Sequence, residues 1–190
     1  MFDRAELKAI AKAQIKGHIG TLFVCMLLVG LIVGTLVGAL LAPGLLIGMI
    51  MIYLALAKGT APQVTDIFKG LPVFGKALWL NIITGFFTCL WSMLLFVPGI
   101  IKGISYSMAP YVLAENPDMM AREALNESKR ITQGHKMNLF VLSLSFLGWF
   151  LLVGITFGIA IVYVGPYMQA TFANAYNAIK GLEQKQNADA

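Results

Sequence analysis

The chain has 190 residues, of which 58% are hydrophobic and 12% charged, with a mean hydropathy of +0.79. A soluble domain carries about 25% charged residues, so there are too few charges here to cover a water-facing surface. Apolar runs longer than about 18 residues point to a polytopic membrane protein. The net charge of +5 comes from basic residues that flank those runs. Their expected partner is an anionic membrane leaflet, and nucleic acid is not expected.

The first stretch, Phe2 to Gly17, predicts a basic amphipathic helix. Leu7, Ile10, Ala11 and Ile15 share a face beside a Lys8, Lys12, Lys16 stripe. Such a helix suits the membrane interface, and the apolar run that follows is too long for the core of a secretory signal. A charge-free span is expected from Ile19 to Leu41, with Gly30, Gly34 and Gly38 at GxxxG spacing as a packing groove. Cys25 and Cys89 lie inside apolar runs and read as small hydrophobes.

Pro43-Gly44-Leu45-Leu46-Ile47-Gly48 then recurs as Pro98-Gly99-Ile100-Ile101-Lys102-Gly103, with a looser copy at Gly165-Pro166. Each phrase reads as the tight turn of a membrane hairpin. The predicted parts are an interfacial helix over 1–17, a hairpin over 18–58, a linker over 59–75 and a hairpin over 74–115. An interfacial helix over 116–134, a hairpin over 136–181 and a tail over 182–190 complete the single membrane domain. Pro110 is expected to kink its helix. Asn116-Pro117-Asp118 reads as a helix start, with Met120, Ala124, Leu125, Ser128 and Ile131 on one side of the helix it opens and Gly134 at its end. The span beginning at Met137 is long enough to bend near Gly154 or Gly158.

A second echo joins Lys12, Gly17, His18, Leu22 and Phe23 to Lys129, Gly134, His135, Leu139 and Phe140 at one offset, which suggests an internal repeat. With the N-terminus inside, thirteen of the fourteen Lys and Arg are cytoplasmic and Lys102 is the exception. The expected topology is therefore six spans, all-α, with both termini cytoplasmic. The alternative makes the short second, fourth and sixth helices re-entrant.

Several stretches resemble a bacterial family catalogued as domain of unknown function 975. They are Leu7-Lys8 to Gly17, Pro98-Gly99-Ile100-Ile101-Lys102 with Tyr106-Ser107-Met108, and Ala114-Glu115-Asn116-Pro117. They continue as Ser128-Lys129, Gly134-His135-Lys136, Leu144-Ser145-Phe146 with Gly148-Trp149, and Pro166-Tyr167. The resemblance implies a multi-pass membrane protein with no established activity, and it supplies no catalytic residue.

No phosphate-binding loop, zinc-protease or nucleophile-elbow motif is present. No cofactor, metal site or catalytic residue is expected, and no acid lies deep in an expected span, which disfavours a proton-coupled pump. The first expectation is a non-enzymatic membrane scaffold or accessory protein that contacts lipid, a second copy or another membrane protein. Its anionic lipid contacts would be Lys12, Lys16, Arg122, Lys129, Arg130 and Lys136. The alternative is a small transporter or lipid-handling carrier whose polar midplane site is lined by Asn81, Gln169, Asn174 and Asn177.

Overall fold

The computed structural model describes residues 4–94, 96–156 and 158–188, with the side chains of 36–40, 91–98 and 183–188 outside the description. Every regular element among the described residues is helical. α1 (Arg4–Lys16) buries Leu7, Ala11 and Ile15 against the last helix, α10 (Ile161–Ala188). α2 (Ile19–Val33) leaves α1 at an angle of 87°. Gly17 and His18 make that corner, where the Leu22 amide donates to the His18 carbonyl at 3.0 Å. Gly134 and His135 make a similar corner, with Leu139 donating to His135 at 3.0 Å. His18 and His135 have nearly the same backbone angles, −125°/10° and −112°/2°.

Two of the three Pro-Gly phrases do not mark turns. Pro43 lies inside α3 (Leu36–Ala57), and Pro166 lies inside α10. α4 (Phe74–Leu94) ends before α5 (Phe96–Tyr106), which takes Pro98 and Gly99 into its first turn. The first break is at Gly34–Thr35, where the Thr35 hydroxyl donates to the Ile32 carbonyl at 2.7 Å. Each proline removes one hydrogen bond from the helix interior; the burial of Leu45, Ile47 and Ile52 on α3 and of Tyr167, Ala170 and Ala173 on α10 outweighs that loss.

The glycine groove is also displaced. A side chain on Gly30 would meet nothing within 4 Å, and Gly34 faces only the carbonyls of its own α2. The packing of Gly38 falls outside the described residues. The close approach is made by the Pro-Gly phrase itself. A methyl group on Gly48 would overlap the Ile67 carbonyl, and one on Gly70 would overlap the Gly44 carbonyl and the Gly48 amide. Glycines four apart on α3 thus let a 3₁₀ segment, Val64–Val73, lie directly on the helix backbone. α3 also packs on α2, α4, α10 and α6 (Ala109–Glu115), which puts it at the centre of the bundle.

α6 takes Pro110 into its first turn, so the proline opens a helix where a kink was expected. Asn116 terminates α6 by donating to the Val112 carbonyl at 3.3 Å, and so does not open the next helix. That helix, α7 (Ala121–Ile131), starts at Met120, whose amide donates to Glu123 at 2.9 Å. Its apolar face of Ala121, Ala124, Leu125, Ser128 and Ile131 is buried against α4, α5 and α6, and Met120 is exposed. Gly134 follows with φ +84°.

α8 (Lys136–Leu144) and α9 (Leu147–Ile155) form one apolar stretch with a step at Ser145–Phe146. The bend expected near Gly154 or Gly158 falls at Gly158, φ +89°, a conformation that favours glycine. Gly154 lies in α9 with open space around it. Two helical stretches, Val64–Leu90 and Lys136–Ile155, are long and apolar enough to cross a membrane. The bent pair of α1 and α2 makes a third if counted as one span.

Candidate functional site

A cavity of about 430 Å³ lies between α2, α3, α4, α6 and α10. This is within the usual range for a small-molecule site. Met26, Val29, Ala42, Pro43, Leu46 and Ile50 make most of its wall apolar. Gly30, Leu46 and Asn81 are exposed and form its rim, while Tyr53 and Leu80 are buried at about 1% exposure.

Three polar side chains interrupt this wall: Tyr53, Asn81 and Gln169. The Tyr111 hydroxyl donates to Gln169 Oε1 at 3.0 Å, which fixes the amide. The Tyr53 hydroxyl is buried and has no hydrogen-bond partner among the described residues. A buried polar group left in that state costs about 1–3 kcal/mol. Tyr53 stands four residues before the end of α3 and ten after Pro43, with Gln169 joined to the same end through Tyr111, whereas the start of α4 lies against Gly44. Val33, Ala42 and Pro43 lie toward the opposite ends of their helices, so the cavity is polar at one end and apolar at the other.

Of the four expected amides, the structure brings Asn81 and Gln169 together here. Asn174 points elsewhere, donating to Gln14 Oε1 at 2.7 Å and to the Ala170 carbonyl at 3.0 Å. Asn177 is half-buried on α10 and is not in the lining. Sequence reasoning missed Tyr53 and Tyr111. The available signal was a hydroxyl on an otherwise apolar helix, but tyrosine also belongs to membrane interfaces, which hides that signal.

Beside Tyr111 lies a charge cluster. Glu115 accepts from the Tyr176 hydroxyl at 2.6 Å, from Lys180 at 2.6 Å and from Lys58 at 3.3 Å. Tyr111 and Tyr176 stack with centroids 6.0 Å apart. Burial opposes the Glu115 charge, but the bonds from Lys180 and Tyr176, the Lys180 charge and the bond from Lys58 outweigh it. They hold its carboxyl below the usual carboxylate range. The cluster ties the C-terminal ends of α3 and α6 to α10.

The expected lipid-contact residues divide. Arg130 pairs with Glu127 through two bonds of 2.6 and 2.9 Å, and Lys129 bonds Asn126 at 3.2 Å and lies over the Tyr106 ring. Lys12, Lys16 and Arg122 are exposed, and Lys136 is half-buried. Among the described residues no three His, Cys, Asp or Glu are grouped to hold a metal ion.

Residues 93–183 match the sequence model of a family described as "Protein of unknown function (DUF975)". No curated protein and no solved structure matches the chain.

Proposed function

We propose that this chain, whose residues 93–183 belong to the DUF975 family, is a non-enzymatic membrane protein that holds an amphipathic, lipid-like molecule. The molecule sits in the cavity with its polar group toward Tyr53 and Gln169 and its tail toward Val33, Ala42 and Pro43. The observation that carries this reading is the Tyr53 hydroxyl, buried without a partner among the described residues in a wall that is otherwise mostly apolar. With its oxygen engaged by Tyr111, the Gln169 amide offers its N–H donors to an acceptor on the ligand. The exposed rim at Gly30, Leu46 and Asn81 gives a lateral entry from the lipid phase. The DUF975 stretch supplies Pro110, Tyr111 and Gln169, and α2, α3 and the start of α4 supply the rest.

The helices run in pairs in this reading, with their breaks at Gly34–Thr35, between Leu94 and Phe96, and near Gly158. The apolar, exposed ends around Leu31, Phe86, Ile155 and Ile159 reach away from the charged base. Both termini and nearly all the basic residues then lie on the cytoplasmic side.

The test is lipid analysis of the purified protein. Wild type should retain a tightly held amphipathic molecule through extensive detergent washing. Ala42→Phe, which fills the apolar end, should lose it while keeping a cooperative melt. Tyr53→Phe should lower retention several-fold. Equal retention in folded Ala42→Phe and wild type would refute the cavity as the binding site.

A further inference from the structure

A second, shallower recess lies on the outside of the bundle, where the start of α4 meets the start of α7. Gly75, Lys76, Trp79, Met120, Ala121 and Arg122 line it. Lys76 donates one N–H to the Pro117 carbonyl at 2.7 Å. That bond fixes the ammonium near Arg122 and leaves two donors. Trp79 is 56% exposed and Met120 67%. Two cations beside an exposed tryptophan, at the foot of a helix long enough to span, are the components of a headgroup site at the membrane surface.

The surface above the recess shows which anion fits. Trp79, Ile82, Phe86 and Leu90 recur at helical spacing on α4, and all four are exposed. From Trp79 to Leu90 the helix rises about 16 Å, close to half of a hydrocarbon core about 30 Å thick. The stripe therefore has the length of one acyl chain and begins at the cations. A soluble phosphate compound would use Lys76 and Arg122 but leave the stripe bare.

We infer that Lys76 and Arg122 bind the phosphate of one anionic phospholipid, whose acyl chain lies along Trp79, Ile82, Phe86 and Leu90. The site is separate from the cavity, and its test is independent of the one proposed there. It also moves the expected lipid contact of α7 away from Lys129 and Arg130, which bond within their own helix.

The experiment is a titration of the full chain in detergent with phosphatidylglycerol, phosphatidylcholine or glycerol 3-phosphate, followed by native mass spectrometry. A basic residue at a membrane surface contributes about fivefold in affinity, so Lys76→Gln with Arg122→Gln should weaken phosphatidylglycerol binding about 30-fold. Arg122→Gln alone, at an exposed position, should weaken it about fivefold without touching the Lys76–Pro117 bond. Lys129→Gln with Arg130→Gln should bind as wild type does. Phosphatidylcholine should bind more weakly, and added salt should weaken the phosphatidylglycerol complex. Unchanged binding in the Lys76/Arg122 variant, or an equal loss in the Lys129/Arg130 variant, overturns the assignment. Displacement of the lipid by glycerol 3-phosphate at comparable concentration would make this a phosphate site and equally refute it.

Discussion

Gly48→Ala is the sharpest perturbation of the fold. The added methyl would overlap the carbonyl of Ile67, which is backbone and cannot rotate aside. The 3₁₀ segment Val64–Val73 must therefore lift from α3. Overpacking of this kind costs about 1–3 kcal/mol, and the gap opened over Ile67, itself 0% exposed, adds about 2 kcal/mol, less than full truncation of a buried isoleucine. Alanine recovers about 1 kcal/mol of helix propensity. The net is about 3 kcal/mol, or a fall in melting temperature of about 6–12 °C for a chain of this size. The assay is a thermal melt of the purified protein, read as loss of the monodisperse peak after heating. Gly30→Ala is the control. It meets nothing within 4 Å and should melt at or slightly above wild type. If Gly48→Ala matches wild type while Gly30→Ala collapses, the helix contacts run through the α2 glycines and not through the seat of Val64–Val73 on α3.

Two further predictions concern charge. The Glu115 carboxyl is held below its ordinary value of 4.5 by its Lys and Tyr partners, so its contribution to stability is complete above about pH 4.5 and is lost as pH falls through the folded value. Glu115→Gln should therefore lower the melting temperature at pH 7, and the gap between variant and wild type should close on acidification; a gap independent of pH would refute the role of the charge. For orientation, single cysteines at Thr35 and Gln133, in a background with Cys25→Ala and Cys89→Ala, would be exposed to an impermeant maleimide on intact cells. Labelling at Thr35 but not at Gln133 is expected, and the reverse pattern would refute the cytoplasmic base.

The limits of the sequence reading fall where local helix-ending rules meet tertiary packing. The amphipathic period of α1 and the start of α4 are visible because a boundary between polar and apolar stretches of sequence runs along those residues. Pro43 and Pro166 mislead because tertiary packing of the helices they sit in outweighs the one hydrogen bond each proline removes. Two of the three breaks carry a weaker signal, a threonine that bonds back to its own helix. Thr35 donates to Ile32 at 2.7 Å, and Thr156 donates to Leu152 at 2.8 Å while accepting from the Ala160 amide at 3.1 Å. Thr84 and Thr88 lie within α4 without breaking it, so the residue type alone does not locate a turn. Asn116 was ambiguous for a similar reason: an asparagine between two helices can end one or begin the next, and only tertiary packing decides.

The same reasoning separates the two glycine patterns. Gly30 and Gly34 have the spacing of a helix-packing motif, as do Gly44 and Gly48, and composition cannot rank them. What differs is the partner. A glycine pair acts as a groove only where another backbone arrives, and the segment that arrives here is Val64–Val73, whose Gly70 completes the contact from the other side. In α3 and α10 the repeated Pro-Gly phrase is thus informative about contact and not about turning. In α3 it seats the 3₁₀ segment, and Pro43 within it lines the cavity. In α10, Gly165 of the looser copy would place a methyl group against the flexible end of Met26, which lines the same cavity. Two of the phrases therefore border the space that the proposed ligand occupies. A substitution that closes their backbone contacts should alter both the fold and the cavity, whereas Tyr53→Phe should alter the cavity alone.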